Sequence, residues 1–365
     1  MSALAQEEIT RTAAWIASLQ LPSGMVPWYR GGHADPWNHV EATMALAAGG
    51  RWGEVERAFD WLAGNQLEDG SWCTFYLADG VIEPRRDPNV CAYLATGARW
   101  CWQLSGDEGI LRELWPMLER GIDWCLHYQR QGGEIAWSIG PDGAIGTFAL
   151  LAATSSFQHS LRSAARVAEV LGHQREAETW SAAASRAAEA VAERPGSFEP
   201  KDRWAMDWYY PVLSGAVVGH AARRRMLERW SEMVLDGVGV RCVADKNWVT
   251  AAETAECAMA AARAGMRAEA ETLLAWTAHL RASDGSYWTG CVHPECVRFP
   301  GGQKSTYSAA AVLIADHVLN VRSSAAAIFA GPAHAAGSPS AWTADRISLA
   351  DLRPEPMHAG TPTPP

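Results

Sequence analysis

Residues 36–72 read PWNHVEATMALAAGGRWGEVERAFDWLAGNQLEDGSW, and they hold one complete unit of the fold. Pro36 at the first helical position and Asp35 as its cap open an apolar helix that runs to Gly49. Gly49-Gly50 turns the chain, and the helix predicted over 53–66 carries its apolar residues three and four apart, the mark of one buried face. The more apolar helix belongs inside and the amphipathic one outside. Working outward, the same alternation recurs along the chain. Outer helices are predicted at 5–20, 53–66, 108–130, 173–193, 221–235 and 266–281, and inner helices at 36–49, 88–104, 149–171, 209–220, 250–264 and 305–320. Links from inner to outer helix are short, often a glycine turn such as Gly49-Gly50, Gly172 or Gly265, whereas those from outer to inner are long: 67–87, 131–148, 194–208, 236–249 and 282–304. Six such hairpins closed into a ring make an all-α (α/α)6 toroid. All the long loops then fall on one rim, around the N-termini of the inner helices, and the chemistry is confined to that mouth.

The toroid is read as a single domain, residues 1–322. Residues 323–365, rich in Ala, Ser, Gly and Pro, are expected to form a flexible, mostly disordered tail, with Ala341–Leu352 as a short docking piece. A net charge of −10 without a basic stripe argues against nucleic acid and against an anionic membrane surface. No stretch reaches the roughly 18–20 apolar residues of a membrane span, and the N-terminus lacks the basic start and apolar core of a secretory signal. Eight scattered cysteines read as buried free thiols, so the expectation is a soluble cytoplasmic protein. Neither a Walker loop nor a dinucleotide glycine motif is present, and Cys291-Val292-His293-Pro294-Glu295-Cys296 has poor zinc spacing; neither a metal nor an organic cofactor is predicted.

Nineteen tryptophans are the main compositional excess. Trp61, Trp115, Trp124, Trp180, Trp230 and Trp276 fit the apolar stripes of outer helices. Trp37, Trp72, Trp137, Trp208, Trp248 and Trp288 instead lie in the long loops or at inner-helix starts, where an indole's flat face and N–H suit a partly wet pocket. Two loops share a turn: Gln66-Leu67-Glu68-Asp69-Gly70-Ser71-Trp72 and Leu280-Arg281-Ala282-Ser283-Asp284-Gly285-Ser286-Tyr287-Trp288. The first resembles the Gln-Trp repeat of squalene cyclases and prenyltransferase beta subunits, which ties neighbouring hairpins together. The order of segments over more of the chain resembles glucoamylase-like six-hairpin glycoside hydrolases. Gly70-Ser71-Trp72, Leu114-Trp115-Pro116, Gly237–Asp245 and Pro294-Glu295 ahead of Tyr307 carry that likeness. The resemblance implies Glu295 as general base. In the loop where that family carries its acid, this chain reads Ala136-Trp137-Ser138-Ile139-Gly140, without a carboxylate. The aspartate-rich acid motif of the cyclases and the zinc ligands of the prenyltransferases are missing too.

At the mouth, Asp35 reads equally as a cap and as a site residue, and Asp87 more as a cap, each ahead of a proline. Asp207, set among Met206, Trp208, Tyr209 and Tyr210 and read as preceding a helix begun by Pro211, would have its pKa raised by desolvation, which suits a proton donor. Thr250 and Glu253 have the spacing of a capping box. The predicted catalytic set is Asp207 as acid and Glu295 as base, with Asp245 as a substitute for either. Trp37, Asn38, His39, Asn89, Trp137, Gln158, Trp208, Tyr209, Trp248, Glu253 and Trp288 are predicted to bind substrate. Two carboxylates across a Trp-lined cavity, roughly 6.5–9.5 Å apart, suit inverting glycoside hydrolysis of an oligosaccharide or glycoside. The alternatives are a terpene cyclase- or prenyltransferase-like enzyme acting on an isoprenoid, and a non-catalytic toroid that binds a glycan or a protein; the sequence leaves the oligomeric state open.

Overall fold

The computed structural model describes residues 4–331. Its helices, in chain order, are α1 (Gln6–Ala17), α2 (Pro36–Ala48), α3 (Trp52–Asn65), α4 (Pro88–Ala92), α5 (Leu94–Ser105), α6 (Glu108–His127), α7 (Leu151–Leu171), α8 (Gln174–Glu193), α9 (Ala205–Leu213), α10 (Gly219–Glu228), α11 (Trp230–Met233), α12 (Ala251–Arg263), α13 (Arg267–Trp276), α14 (Thr306–Asn320) and α15 (Ala326–Ala330). The inner ring runs α2, α4–α5, α7, α9, α12, α14 and closes where α14 packs on α2. Outer helices α3, α6, α8, α10 and α13 each pack on the inner helix that precedes them, and α1 lies across α14 and α2. The (α/α)6 toroid is thus the observed fold.

Small residues let the inner helices approach. A Cβ on Gly97 of α5 would stand 2.4 Å from Val40 Cγ1 of α2. The alanines of α12, from Ala258 through Ala262, are buried throughout. Short antiparallel sheets decorate the rim: β1 (Phe75–Leu77) with β2 (Gly80–Glu83), β3 (Val234–Leu235) with β4 (Gly239–Val240), and β5 (Trp248–Thr250), β6 (Trp288–Val292) and β7 (Val297–Lys304) in that order.

The loop repeat acts as a clasp, and the structure holds more copies than the sequence revealed. Gln66 Nε2 donates to Gly70 O at 2.8 Å and to Met117 O of α6 at 2.9 Å. Gln20 makes the same bridge to Gly24 and Glu54, and Gln129 to Gly133 and Ala183. In each copy the glycine has positive φ, and its missing Cβ leaves room for an arginine carbonyl on the next outer helix: Arg57, Arg120 or Arg186. The fourth copy joins the last hairpin to the first. Gly285 (φ +86°) meets the backbone of Arg11, and Arg281, standing where the others have Gln, pairs with Glu8.

Several boundaries differ from the prediction. The fourth inner helix begins at Ala205 rather than 209, so Asp207 lies in its first turn and Pro211 inside it. The second inner helix is interrupted at Tyr93, and the fifth outer helix at Arg229. Residues 323–331, assigned by composition to the tail, instead carry α15, which packs on α12 and α14 with Ile328 and Phe329 buried. Residues 332–365, with the Ala341–Leu352 piece, lie outside the described residues. All eight cysteines are free thiols.

Candidate active site

The inner-helix N-termini surround a cavity of about 420 Å³, on the rim where the long loops lie. Its walls differ in kind. Three inner helices supply carboxylates: Asp35 and Glu41 from the start of α2, Asp87 from α4, and Glu253 and Glu256 from α12. The segments that open α7 and α9 supply Leu150, Ala152, Ala153 and Met206. Trp28, Trp37, Trp137, Trp248, Phe75 and Tyr307 add flat apolar faces to the lining, and Arg85 adds a cation.

Local sequence explains the carboxylate positions. Asp35 and Asp87 are N-caps, each followed by a proline at the first helical position, and each accepts backbone N–H groups of its helix. A cap at an inner-helix N-terminus stands at the mouth by construction, so capping and substrate contact coexist. Asp35 accepts three bonds: Asn38 N at 3.0 Å, Asn38 Nδ2 at 2.6 Å and Trp28 Nε1 at 2.5 Å. Burial pushes its pKa up and those donors pull it back. Burial likewise raises Asp87, to about 7, against its backbone bonds. The Thr250 hydroxyl caps α12 and also bonds the Glu253 carboxyl, whose pKa burial raises.

Glu41 and Glu256 occupy matching places, each the sixth residue of its helix, and form the floor. The hydroxyls of Tyr209 and Tyr210 both donate to Glu256. Burial raises Glu256 to about 7, with the nearby Glu253 charge adding to it. Glu41 is raised too, by burial and then by Glu256, Asp35 and Glu253. Carboxyls so crowded hold protons near neutral pH and can donate them. Asn89 Oδ1 is buried without a hydrogen-bond partner in the protein, which leaves an acceptor for a bound molecule; Trp248 Nε1, also without a partner, faces Gly290 of β6.

Of the predicted substrate-binding residues, Trp37, Asn38, Asn89, Trp137, Trp248 and Glu253 line the cavity. Trp37 stacks on Tyr93 at 4.3 Å and Trp137 on Phe148 at 5.0 Å, so both faces are held in place. The others are placed elsewhere. His39 is fully buried between Val26 N and Ala58 O, and burial lowers its pKa to about 4. Gln158 donates to Ser214 O, and Trp208 to Arg225 O. Tyr209 stands behind the floor, on Glu256. Trp288 is covered by Arg298 and Lys304.

None of the three residues predicted as catalytic, Asp207, Glu295 and Asp245, lines the cavity. Asp207 is buried beside it, where Oδ1 accepts Ala152 N at the start of α7. Its aromatic neighbours marked a helix start facing the ring, not a donor facing the mouth. Glu295 is exposed in the β6–β7 turn, and Asp245 is exposed in an ion pair with Arg203. Of the carboxylates that do converge, the sequence places Glu253 among the substrate-binding residues and leaves Asp35 and Asp87 as caps or site residues, but misses Glu41 and Glu256. Their legible signal is acidic residues inside otherwise apolar inner helices: Glu41 in VEATMALAA and Glu253 with Glu256 in AAETAECAMAAA.

A toroid with paired, proton-holding carboxylates in a Trp-walled cavity is the framework of an acid–base enzyme. Residues 37–195 match the family model described as the bacterial alpha-L-rhamnosidase 6 hairpin glycosidase domain. A protein of Mycolicibacterium hassiacum, the "MMP endo-(1,4)-3-O-methyl-alpha-D-mannosidase", is 42% identical over 329 residues, which is 90% of each chain. Among solved structures, one described as a wild-type glycosidase superposes with a TM-score of 0.69 at 16% identity, covering 86% of this chain and 96% of its own. A D-mannose isomerase superposes at 0.65 and 11% identity, covering 85% and 96%; these two likenesses speak for the fold. The chain belongs to the six-hairpin glycosidase family, and it is a carbohydrate-processing enzyme of the glycoside hydrolase type. Among the described residues no helix is long and apolar enough to cross a membrane.

Proposed function

We propose that this enzyme cleaves α-(1,4)-linked mannose chains bearing 3-O-methyl groups, with inversion, using Glu253 as general acid and Asp35 as general base. The observation that carries this reading is the two-sided cavity. Carboxylates and an unpartnered Asn89 Oδ1 on one side suit ring hydroxyls, and Leu150, Ala152, Ala153 and Met206 on the other suit methyl ethers. The relative's own named substrate supplies the linkage and the methylation.

Roles follow from hydrogen bonding. The hydrogen-bond partners of Asp35 are all donors, which favours its anion against burial and so suits a base. Glu253 reaches the cavity with its pKa raised by burial, the direction that suits an acid. α2 and α12 flank α14, so the two carboxylates stand on separate walls. Glu253 gives its proton to the glycosidic oxygen as the bond to the anomeric carbon breaks. Asp35 takes a proton from the water whose oxygen forms the new bond on the other face.

The test is product anomer by NMR on 3-O-methylmannose oligosaccharides, together with two variants. Glu253→Gln and Asp35→Asn should each lose on the order of 10²–10⁴ in kcat. An activated aryl glycoside should restore turnover to Glu253→Gln, since a good leaving group needs no proton. Azide should restore Asp35→Asn and yield a glycosyl azide of inverted configuration. Retention of configuration would sink the inverting assignment. Unmethylated chains should be cut more slowly by about 10–200-fold per methyl lost, and Met206→Gln should narrow that gap.

A further inference from the structure

A second cavity, of about 330 Å³, lies at the opposite end of the ring. Its lining comes from the far ends of the inner helices and from α15: Arg99 and Gln103 of α5, Arg162 and His159 of α7, Arg263 at the last residue of α12, and Ile328. Three guanidinium groups therefore share one hollow in a chain whose net charge is −10. Among the described residues none of the three makes an ion pair, whereas arginines elsewhere on the surface pair with carboxylates.

Arg263 has a structural explanation. Its Nη1 donates to Phe329 O at 2.8 Å and to Ile328 O at 3.3 Å, holding α15 against the ring. Arg99 and Arg162 have none. Arg99 Nε is buried without a partner, and so is Gln103 Oε1 beside it. The mutual repulsion is felt: burial, then Arg162 and Arg99, lowers Arg263 to about 10. Like charges assembled in a partly desolvated hollow without an ion-paired carboxylate, where the only opposite charge felt by Arg99 is that of Glu169, are costly, and a bound anion relieves that cost. Guanidinium forks match the oxygens of a phosphate bidentately, and several forks converging exceed what one carboxylate accepts. The volume leaves room for a body beyond the phosphate, with Gln103, whose Oε1 has no partner in the protein, in place for a hydroxyl.

We propose that this hollow is a binding site for a phosphate monoester of sugar size, distinct from the catalytic mouth and held chiefly by Arg99, Arg162 and Arg263. The site needs no assumption about the glycan that the mouth cleaves.

The experiment is thermal unfolding and equilibrium dialysis of the full chain with a hexose phosphate, inorganic phosphate or the uncharged hexose, at constant ionic strength. The hexose phosphate should raise Tm by about 2–4 °C when saturating, inorganic phosphate less, and the hexose not at all. Arg162→Gln, at a solvent-reaching position, and Arg99→Lys, which keeps the charge but loses the fork, should each weaken binding at least about tenfold. Asp35→Asn, at the other mouth, should bind as wild type. Equal binding by the arginine variants, or no binding by a wild-type chain that is otherwise folded, would overturn the proposal. So would a large gain in phosphate affinity when Asp345, Asp351 and Glu355 are neutralised together, because the occupant would then be the chain's own carboxylates.

Discussion

Glu256 concentrates the electrostatic tension of the cavity in one residue. Its carboxyl is buried on the floor, receives the hydroxyls of Tyr209 and Tyr210, and has its pKa raised from 4.5 to about 7. The folded chain therefore holds this proton more tightly than the unfolded chain does. Stability from this group is complete below pH 4.5 and is lost as pH rises from there through about 7. Glu256→Gln removes the titration but keeps the shape. The urea midpoint of the variant minus that of wild type should then grow more positive between pH 4.5 and pH 7, and level off above. A difference that stays constant across that interval would show that Glu256 is already ionised in the fold. Glu41, raised by burial and by Glu256, titrates in the same crowd, so the slope in wild type belongs to the pair.

The elements show why the fold was legible in sequence and the residues that line the cavity were less so. Helix pairs announce themselves by periodicity, and α3, α6 and α8 follow their predicted spans closely because each buries one regular stripe. Function here sits on inner helices that are apolar on every side, where periodicity is silent about which residue faces the cavity. Position along the helix carries that information instead. The cap and the sixth residue face the mouth in α2, and the third and sixth do so in α12. The sequence sets Asp207 in the mouth loop because it starts α9 four residues late, which moves a residue of its first turn into the loop. Its role belongs to the neighbouring element, since its carboxylate serves the exposed N-terminus of α7 through Ala152 N at 3.2 Å. Asp207→Ala should accordingly cost about 0.5–2 kcal/mol of stability, the range of a lost helix cap. Its kcat per folded molecule should stay within about twofold of wild type, against the on the order of 10²–10⁴ expected for Glu253→Gln. Comparable losses of kcat in the two variants would return Asp207 to the catalytic machinery.

Across the whole molecule, the toroid stands or falls on closure, because each inner helix is covered on both flanks only when the ring is complete. Three clasps of Gln and Gly join outer helices that are consecutive in the chain, but the fourth joins residues 281–286 to α1, the two ends of the ring. Leu4 N reaches Asp316 Oδ1 at the same seam, and Thr306 bonds the backbone of Pro27 and Trp28. Gly285 is the tightest element of that seam. Its φ of +86° disfavours any side chain, and a Cβ there would lie 2.7 Å from Arg11 C and 2.9 Å from Thr12 N, which is backbone that cannot rotate away. Gly285→Ala should therefore cost about 1–3 kcal/mol and lower Tm by several degrees. The decisive reading is the shape of the transition. If the ring is one cooperative unit, calorimetry should give a single peak moved to lower temperature. If the hairpins instead fold as semi-independent neighbours, as in open repeat arrays, the variant should show a separate early transition from the loosened ends. The single shifted peak is expected, because α14 packs on both α2 and α12 and contributes Tyr307 to the cavity between the two proposed catalytic walls.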